Sequence, residues 1–322
     1  MALKTGVVSG AVVLALGCIG CDEVEVEGEA VGFGEGVVSA RNAVWNDFRM
    51  NDFRMNDFRM NGFKLEAAKL FSTDSTEWIE FYDFYTDDGD YVYNGQVVNS
   101  ELKIDGGWLS GTDVVYTTFD FKVKQDGVTS WRYVWIKDAD KVPGTDVWEY
   151  DLDLQIGAGP WTSLCLDPVG NPTRAILLND VWDPVTGAKI TPRPSKALTF
   201  ACKSAALAKC VDFGYRPWAS KNGVSLADYH QACTRMVRAD YCGNGTPHTV
   251  SGTPIHVLDQ LGIQNVDPNS AYVVEAEWGP NGAVCLNPSN TRLPNQTIGC
   301  NIPTCGASFA SGGLIQSGKI VP

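Results

Sequence analysis

The sequence is short of several things that would name a chemistry. It holds only three histidines, His230, His248 and His256, and no two stand four residues apart as a helical metal-binding pair would. From Cys165 onward no Cys-x-x-Cys pair occurs. Residues 66–160 contain neither a glycine-rich nucleotide loop nor a nucleophile elbow. Basic charge is scarce: 25 Lys/Arg face 38 Asp/Glu, so the net charge is −13. That balance excludes a fold-wide basic footprint, and nucleic acid is not an expected partner. What is present is enough apolar material for a core. Of 322 residues, 44% are hydrophobic and 20% charged, which excludes global disorder.

Charge and cysteine divide the chain in the same way. Residues 1–160 carry 13 Lys/Arg against 28 Asp/Glu, whereas residues 161–322 carry 12 against 10. Apart from Cys18 and Cys21, all cysteines lie from Cys165 onward. Lys4 followed by the apolar run Val7–Leu16 reads as a secretory signal over residues 1–20, too short to span a bilayer. Its end, Ala15-Leu16-Gly17-Cys18-Ile19-Gly20-Cys21, resembles the lipobox of bacterial lipoproteins, in which a cysteine is lipidated. Cys21 and Cys18 are the candidates. Parity favours Cys21, which leaves an even set of eight cysteines downstream. The alternative is an ordinary cleaved signal. Residues 21–45, rich in Glu and Gly, read as a flexible acidic tether.

Residues 46–65 repeat a pentapeptide four times: Asn-Asp-Phe-Arg-Met three times, then Asn61-Gly62-Phe63-Lys64-Leu65. The period resembles that of pentapeptide repeats, which wind a four-sided β-helix. Four copies make about one coil, too little to bury a core alone. A single coil or an extended segment is expected, with a disordered spacer as the alternative.

Residues 66–160 read as an acidic antiparallel β region. Trp148, Tyr150, Leu152, Leu154 and Ile156 alternate with Glu149, Asp151, Asp153 and Gln155, giving one buried and one wet face. Val115–Val123 and Trp131–Ile136 form a second pair around Gln125-Asp126-Gly127. Glu77–Tyr85 and Glu101–Asp105 add strands, and Asn94-Gly95 a turn. Asp87-Asp88-Gly89-Asp90 lacks the spacing of a calcium loop and reads as a solvated turn.

The cysteine-rich half, 161–322, is more specific. Residues 202–212 suit a short helix, and Ser225 is a plausible N-cap for a second over 226–240, which Gly243-Asn244-Gly245 stops. Leu226, Tyr229, Cys233, Met236, Val237 and Asp240 fall on its core stripe. Two bridges stapling this helix pair are attractive, since Cys210 and Cys233 sit on the helices with Cys202 and Cys242 at their outer ends. Four disulfides are expected among Cys165, Cys202, Cys210, Cys233, Cys242, Cys285, Cys300 and Cys305, in one of 105 connectivities. Metal binding at Cys300-x4-Cys305 is the weaker reading. Cys165-Leu166-Asp167-Pro168 and Cys285-Leu286-Asn287-Pro288 echo each other as strand ends with a turn.

The runs Thr199-Phe200-Ala201-Cys202, His230-Gln231-Ala232-Cys233, Ala239-Asp240-Tyr241-Cys242-Gly243-Asn244-Gly245 and Glu275-Ala276-Glu277-Trp278 together resemble the ADYC-domain family. The resemblance is dense over 198–258 and weaker over 100–197. It implies an exported protein, often a lipoprotein, and implies no catalytic residue.

Catalytic candidates are few. His230, His248, His256 and Asp240, with Asp228 and Asp259 nearby, could supply an acid/base pair or a zinc site. Cys233-Thr234-Arg235 is similar to the Cys-x-Arg of L,D-transpeptidases, but the Ser-x-Gly lead-in and the upstream histidine are missing. Ten Trp and eleven Tyr invite a carbohydrate-binding reading, with Trp108, Trp161, Trp182, Trp218 and Trp278 as candidates near turns and the aromatics of alternating strands assigned to core. The expectation is an α+β fold, predominantly antiparallel β with a short helical pair in the disulfide-rich C-terminal half. Its expected role is non-enzymatic binding or structure in the cell envelope. It would be attached to the membrane through a lipid, with an envelope glycan or protein partner and no cofactor or metal. An envelope hydrolase or transferase using His/Asp residues around 228–259, or a carbohydrate-binding module, stands as the alternative.

Overall fold

The computed structural model describes residues 44–45, 63–66, 69–72, 78–86, 95–104, 109–125, 127–183, 186–191, 198–250 and 252–321. The signal, nearly all of the tether, residues 46–62 of the repeat, Asp87–Asp90 and Trp108 lie outside them. The strands up to the first helix are β1 (Val44–Trp45), β2 (Phe63–Glu66), β3 (Lys69–Ser72), β4 (Trp78–Tyr85), β5 (Gly95–Val98), β6 (Glu101–Ile104), β7 (Leu109–Ser110), β8 (Thr118–Gln125), β9 (Val128–Lys141), β10 (Trp148–Ile156), β11 (Trp161–Ser163), β12 (Ala175–Leu178) and β13 (Thr199–Cys202). Then come helix α1 (Ala206–Asp212), β14 (Ser220–Lys221), β15 (Val224–Ser225), helix α2 (Ala227–Arg238), β16 (Pro254–Asp259), β17 (Tyr272–Gly279), β18 (Gly282–Leu286) and β19 (Ile315–Ile320). Antiparallel β therefore dominates, with two short helices.

A nine-stranded antiparallel sheet runs β13-β12-β10-β9-β8-β4-β3-β2, and β11 shares the free edge of β10 with β12. The period-two pattern explains its main core. Phe119, Phe121 and Val123 of β8, Val134 and Ile136 of β9, and Tyr150, Leu152 and Leu154 of β10 all point to one face. A small sheet, β5-β6-β7, packs there. Tyr150 pins it: its hydroxyl accepts from Leu102 N–H at 2.8 Å and donates to the Ser100 carbonyl at 3.1 Å. The β5–β6 turn is Asn99-Ser100, both at positive φ, whereas the expected turn residue Gly95 opens β5. Two residues at positive φ match the strand twist of a tight hairpin. Val115 also lies outside the expected strand, because one 3-10 turn, Gly111–Val114, precedes β8 and Tyr116 takes φ +71°.

The sheet does not stop at residue 160. β11, β12 and β13 continue it into the cysteine-rich half, so the change in charge and cysteine content falls within one sheet. β12 and β13 are buried on both faces. Ala175, Leu177, Phe200 and Cys202 enter the first core, while Ile176, Leu178 and Ala201 enter a second core with α1, α2 and the sheet β1-β16-β19-β17-β18. The first helix begins at Ala206, not at residue 202, because Cys202 is still paired with Ala175 in the sheet.

Four disulfides pair all eight described cysteines. Cys165–Cys202 ties the stretch after β11 to β13, and Cys210–Cys233 joins the two helices. Cys242–Cys300 and Cys285–Cys305 fasten the last loop. Thus one bridge staples the helix pair, while Cys202 and Cys242 reach elsewhere. Replacing Cys210 and Cys233 together by alanine should destabilise the protein by about 3 kcal/mol, since that bridge closes a loop of 23 residues. Urea unfolding measures this, and an unchanged midpoint would refute it.

Candidate functional site

The tetrapeptide 239–242 lies at the end of α2, and each of its residues has a structural partner. Helix α2 stops at Arg238 because Ala239 turns into the left-handed region at φ +51°. The stop thus comes four residues before the expected Gly243. Leu226, not Ser225, occupies the N-cap position, and Ser225 Oγ accepts from Ala227 N–H at 3.3 Å. Turning at Ala239 swings Asp240 beneath the helix, where it is fully buried. Its carboxylate accepts from Arg235 Nη1 at 2.6 Å, from Gly245 N–H at 2.9 Å and from Asn244 N–H at 3.1 Å. Arg238 lies 3.7 Å away. Arg235 also donates through Nε to the Pro280 carbonyl at 3.1 Å, fixing the β17–β18 hairpin on the helix. Gly243, at φ +65°, lies against that hairpin so closely that a Cβ would meet the Asn281 carbonyl oxygen at 1.8 Å.

Tyr241 passes from this ion pair to a second one. Its ring stacks on Trp278 at 5.3 Å, and its hydroxyl donates to Glu275 Oε1 at 2.6 Å. Glu275 also accepts from Arg292 Nη2 and from Ser317 Oγ, each at 2.6 Å. Burial pushes the Glu275 carboxyl up, but the Arg292 guanidinium and the hydrogen bonds outweigh it and hold the group below the ordinary value. Burial, then the Glu275 charge, pushes the Tyr241 phenol well above its usual range. Arg292 Nη1 donates to the Met236 carbonyl at 2.9 Å, so this pair too is anchored to α2.

The sequence-derived candidates are therefore placed as follows. Asp240 is committed to two arginines and two backbone amides. His230 is buried on α2, its Nε2 3.0 Å from the Leu207 carbonyl of α1, and burial pushes its imidazole down to about 4. His248 hydrogen-bonds the Ala239 carbonyl through Nδ1 at 3.1 Å, and its ring lies 5.3 Å from Tyr241. His256 is on β16, cross-strand from Gly318. Asp259 accepts from Tyr215 Oη at 2.9 Å and caps a turn through Leu261, Ile263 and Gln264 N–H, while Asp228 is exposed. Cys233 is bridged. Among the described residues, no group of three His, Cys, Asp or Glu is arranged to hold a metal. Of the tryptophan candidates, Trp182 and Trp278 are buried and Trp218 donates to Asp146 at 2.7 Å, leaving Trp161 41% exposed.

Trp161 belongs to an aromatic face that periodicity assigned to core. On β9 the buried residues are Val134, Ile136 and, beyond a bulge, Ala139, and Trp131, Tyr133 and Trp135 stand on the side opposite Val134 and Ile136. Register builds rows across the strands: Thr118, Trp135, Asp153 and Ser163 form one, and Asp120, Tyr133, Gln155 and Trp161 the next. Trp135 lies 5.7 Å from Tyr116, which is 49% exposed, and 6.0 Å from Trp161. Trp131 and Tyr133 are nearly parallel at 6.3 Å, with Lys122 over the Trp131 ring. The signal was legible only in the neighbours. Partners Asp120, Asp153 and Gln155 mark that side as wet. At its β12–β13 end the same side of the sheet is covered by the helices, and over β8–β11 it carries these rings.

In comparison with known proteins, the model of a family described as ADYC domain matches residues 111–292, more than half of the chain. No curated protein and no solved structure matches it. The matched segment holds Asp240, Tyr241, Glu275 and Arg292 as well as the aromatic face.

Two outcomes are expected. Asp240→Asn leaves Arg235 buried without its counter-charge and should cost about 3–5 kcal/mol in urea unfolding; a loss below 1 kcal/mol would refute the anchoring role. His230, depressed on folding, contributes stability that is fully present above its unfolded value near 6.5 and lost as pH falls through about 4. Wild type should therefore lose on the order of 3 kcal/mol through this group between pH 7 and 4. His230→Gln should show a correspondingly shallower acid limb in Tm against pH, and identical limbs would refute the assignment.

Proposed function

The chain belongs to the ADYC-domain family, and on that premise we propose that it is an exported, lipid-anchored protein of the cell envelope with a non-enzymatic binding role. One observation carries the reading: Asp240, Asp259, His230, His248 and Cys233, five of the catalytic candidates, are consumed by the fold, and the sheet leaves an ordered aromatic face toward solvent. Asp240 and Asp259 have their carboxylates bound internally, His230 and His248 are buried on backbone carbonyls, and Cys233 is bridged. Four disulfides fit an oxidising compartment. No helix among the described residues is long and apolar enough to cross a membrane. Attachment in this reading comes from the lipobox-like Gly17-Cys18-Ile19-Gly20-Cys21, with the acidic tether holding the body off the surface.

Expressed from its full gene in a bacterial host, the protein should partition with membranes and carry a diacyl or triacyl mass on Cys21 or Cys18. Cys21→Ser should move it to the soluble fraction if Cys21 is the acceptor, and Cys18→Ser if Cys18 is. A soluble mature protein cut elsewhere, without lipid mass, overturns the anchoring.

A further inference from the structure

Resting on that reading, we infer that the outer face of β8–β11 is a binding platform for a neutral polysaccharide chain. Tyr116, Trp135 and Trp161 stack on successive sugar rings, and Asp153 and Gln155 accept hydrogen bonds from sugar hydroxyls. The geometry has the two features such a ligand needs. A pyranose ring presents an apolar C–H face and a polar rim, so its site must alternate rings with acceptors. Here the cross-strand rows do that: Trp135 is flanked by Thr118 and Asp153, and Gln155 stands between Tyr133 and Trp161. Trp135 has a neighbouring ring at 5.7 Å on Tyr116, inclined by 25°, and another at 6.0 Å on Trp161, tilted by 55°, so the rings offer faces to a chain that turns across the strands. Gln155 donates through Nε2 to the Gly159 carbonyl at 2.8 Å, which orients its amide and keeps Oε1 as the acceptor.

Charge selects among ligands that stack on aromatics. Asp120, Asp151, Asp153 and Glu149 share this side of the sheet with Lys122 and Lys124 of β8, while Asp151 lies 3.7 Å from Lys137 and Glu149 is paired with Lys203. Beside the rings themselves the cross-strand partners are acidic, Asp153 next to Trp135 and Asp120 next to Tyr133, which disfavours a polyanion stacked there. Burial underlines the contrast. The fold fully encloses Trp278 and nearly encloses Trp182, yet leaves Trp161 and Tyr116 nearly half exposed. Large rings kept in water on either hand of the half-buried Trp135 fit a surface used for binding.

The test is affinity electrophoresis of the full, oxidised protein in gels containing xylan, laminarin or soluble cellulose, with polygalacturonate as the anionic control. Calorimetry with chitohexaose, a proline-rich decapeptide and poly-uridine RNA completes the panel. At least one neutral glycan should bind, and Trp135→Ala and Trp161→Ala should each weaken it about tenfold while near-ultraviolet circular dichroism stays native. Should Trp135→Ala unfold, Tyr116→Ala and Trp161→Ala, both at exposed positions, carry the comparison. Absence of binding to every neutral glycan, binding unaffected by these variants, or ring-dependent binding only to the decapeptide, the RNA or polygalacturonate overturns the inference. A lipidated, membrane-bound protein that ignores glycans sinks this inference alone, whereas a soluble, unlipidated one that binds them sinks only the anchoring.

Discussion

A carboxylate sealed from water must have its charge answered within the protein, and Asp240 and Glu275 impose that demand on the whole C-terminal half. Asp240 is answered by Arg235 of the helix just before it and by the amides of the loop that follows. Glu275 is answered by Arg292, by Tyr241 and by Ser317 of β19. Because Arg235 and Arg292 also hold the Pro280 and Met236 carbonyls, the two pairs fix α2, the β17–β18 hairpin and the loop to Arg292 in one arrangement. Tyr241 is the residue common to both regions, so the tetrapeptide is a structural joint, and its chemistry is that of satisfied burial. Such pairs give specificity of arrangement more than net stability, since each repays a large desolvation cost.

The second organising feature is the pair β12–β13, buried on both sides. An alternating strand normally serves one core, but Ala175–Leu178 and Thr199–Cys202 have apolar or small residues at nearly every position and so serve two. They continue the nine-stranded sheet beneath the helices. The disulfides follow the same economy: Cys165–Cys202 secures the two-faced strand, and Cys210–Cys233 secures the helices lying on it. The bridges therefore stand where the sheet passes from one core to the other.

What this construction leaves to solvent is as ordered as what it hides. Over β8–β11 neither α1 nor α2 of the described residues covers the sheet, and rings alternate there with carboxylate, amide and hydroxyl groups in registered rows. The inferred ligand, with an apolar face and hydroxylated edges, matches this alternation of rings and polar groups. The buried histidines and bridged cysteines of the domain do not compete for that role.

The sequence by itself determined the strands that alternate cleanly. Trp148–Ile156 forms β10 over those nine residues, with Tyr150, Leu152 and Leu154 inward, because only one of its faces is apolar. It also determined two helices in the cysteine-rich half, through runs rich in alanine and leucine and a three-and-four stripe. Tertiary structure decided what local pattern leaves open. Trp131–Ile136 carries large apolar residues on both faces, so only pairing with β8 and β10 fixed Val134 and Ile136 as core and turned the tryptophans outward. Asp240 falls on the helical stripe in sequence, yet it lies beyond the helix end, because Ala239 adopts a left-handed conformation to deliver it to Arg235. The disulfide partners, drawn from 105 arrangements, were likewise set by which elements meet. Spacing along the chain records local periodicity, whereas register between strands and the burial of a charge depend on neighbours that are distant in sequence.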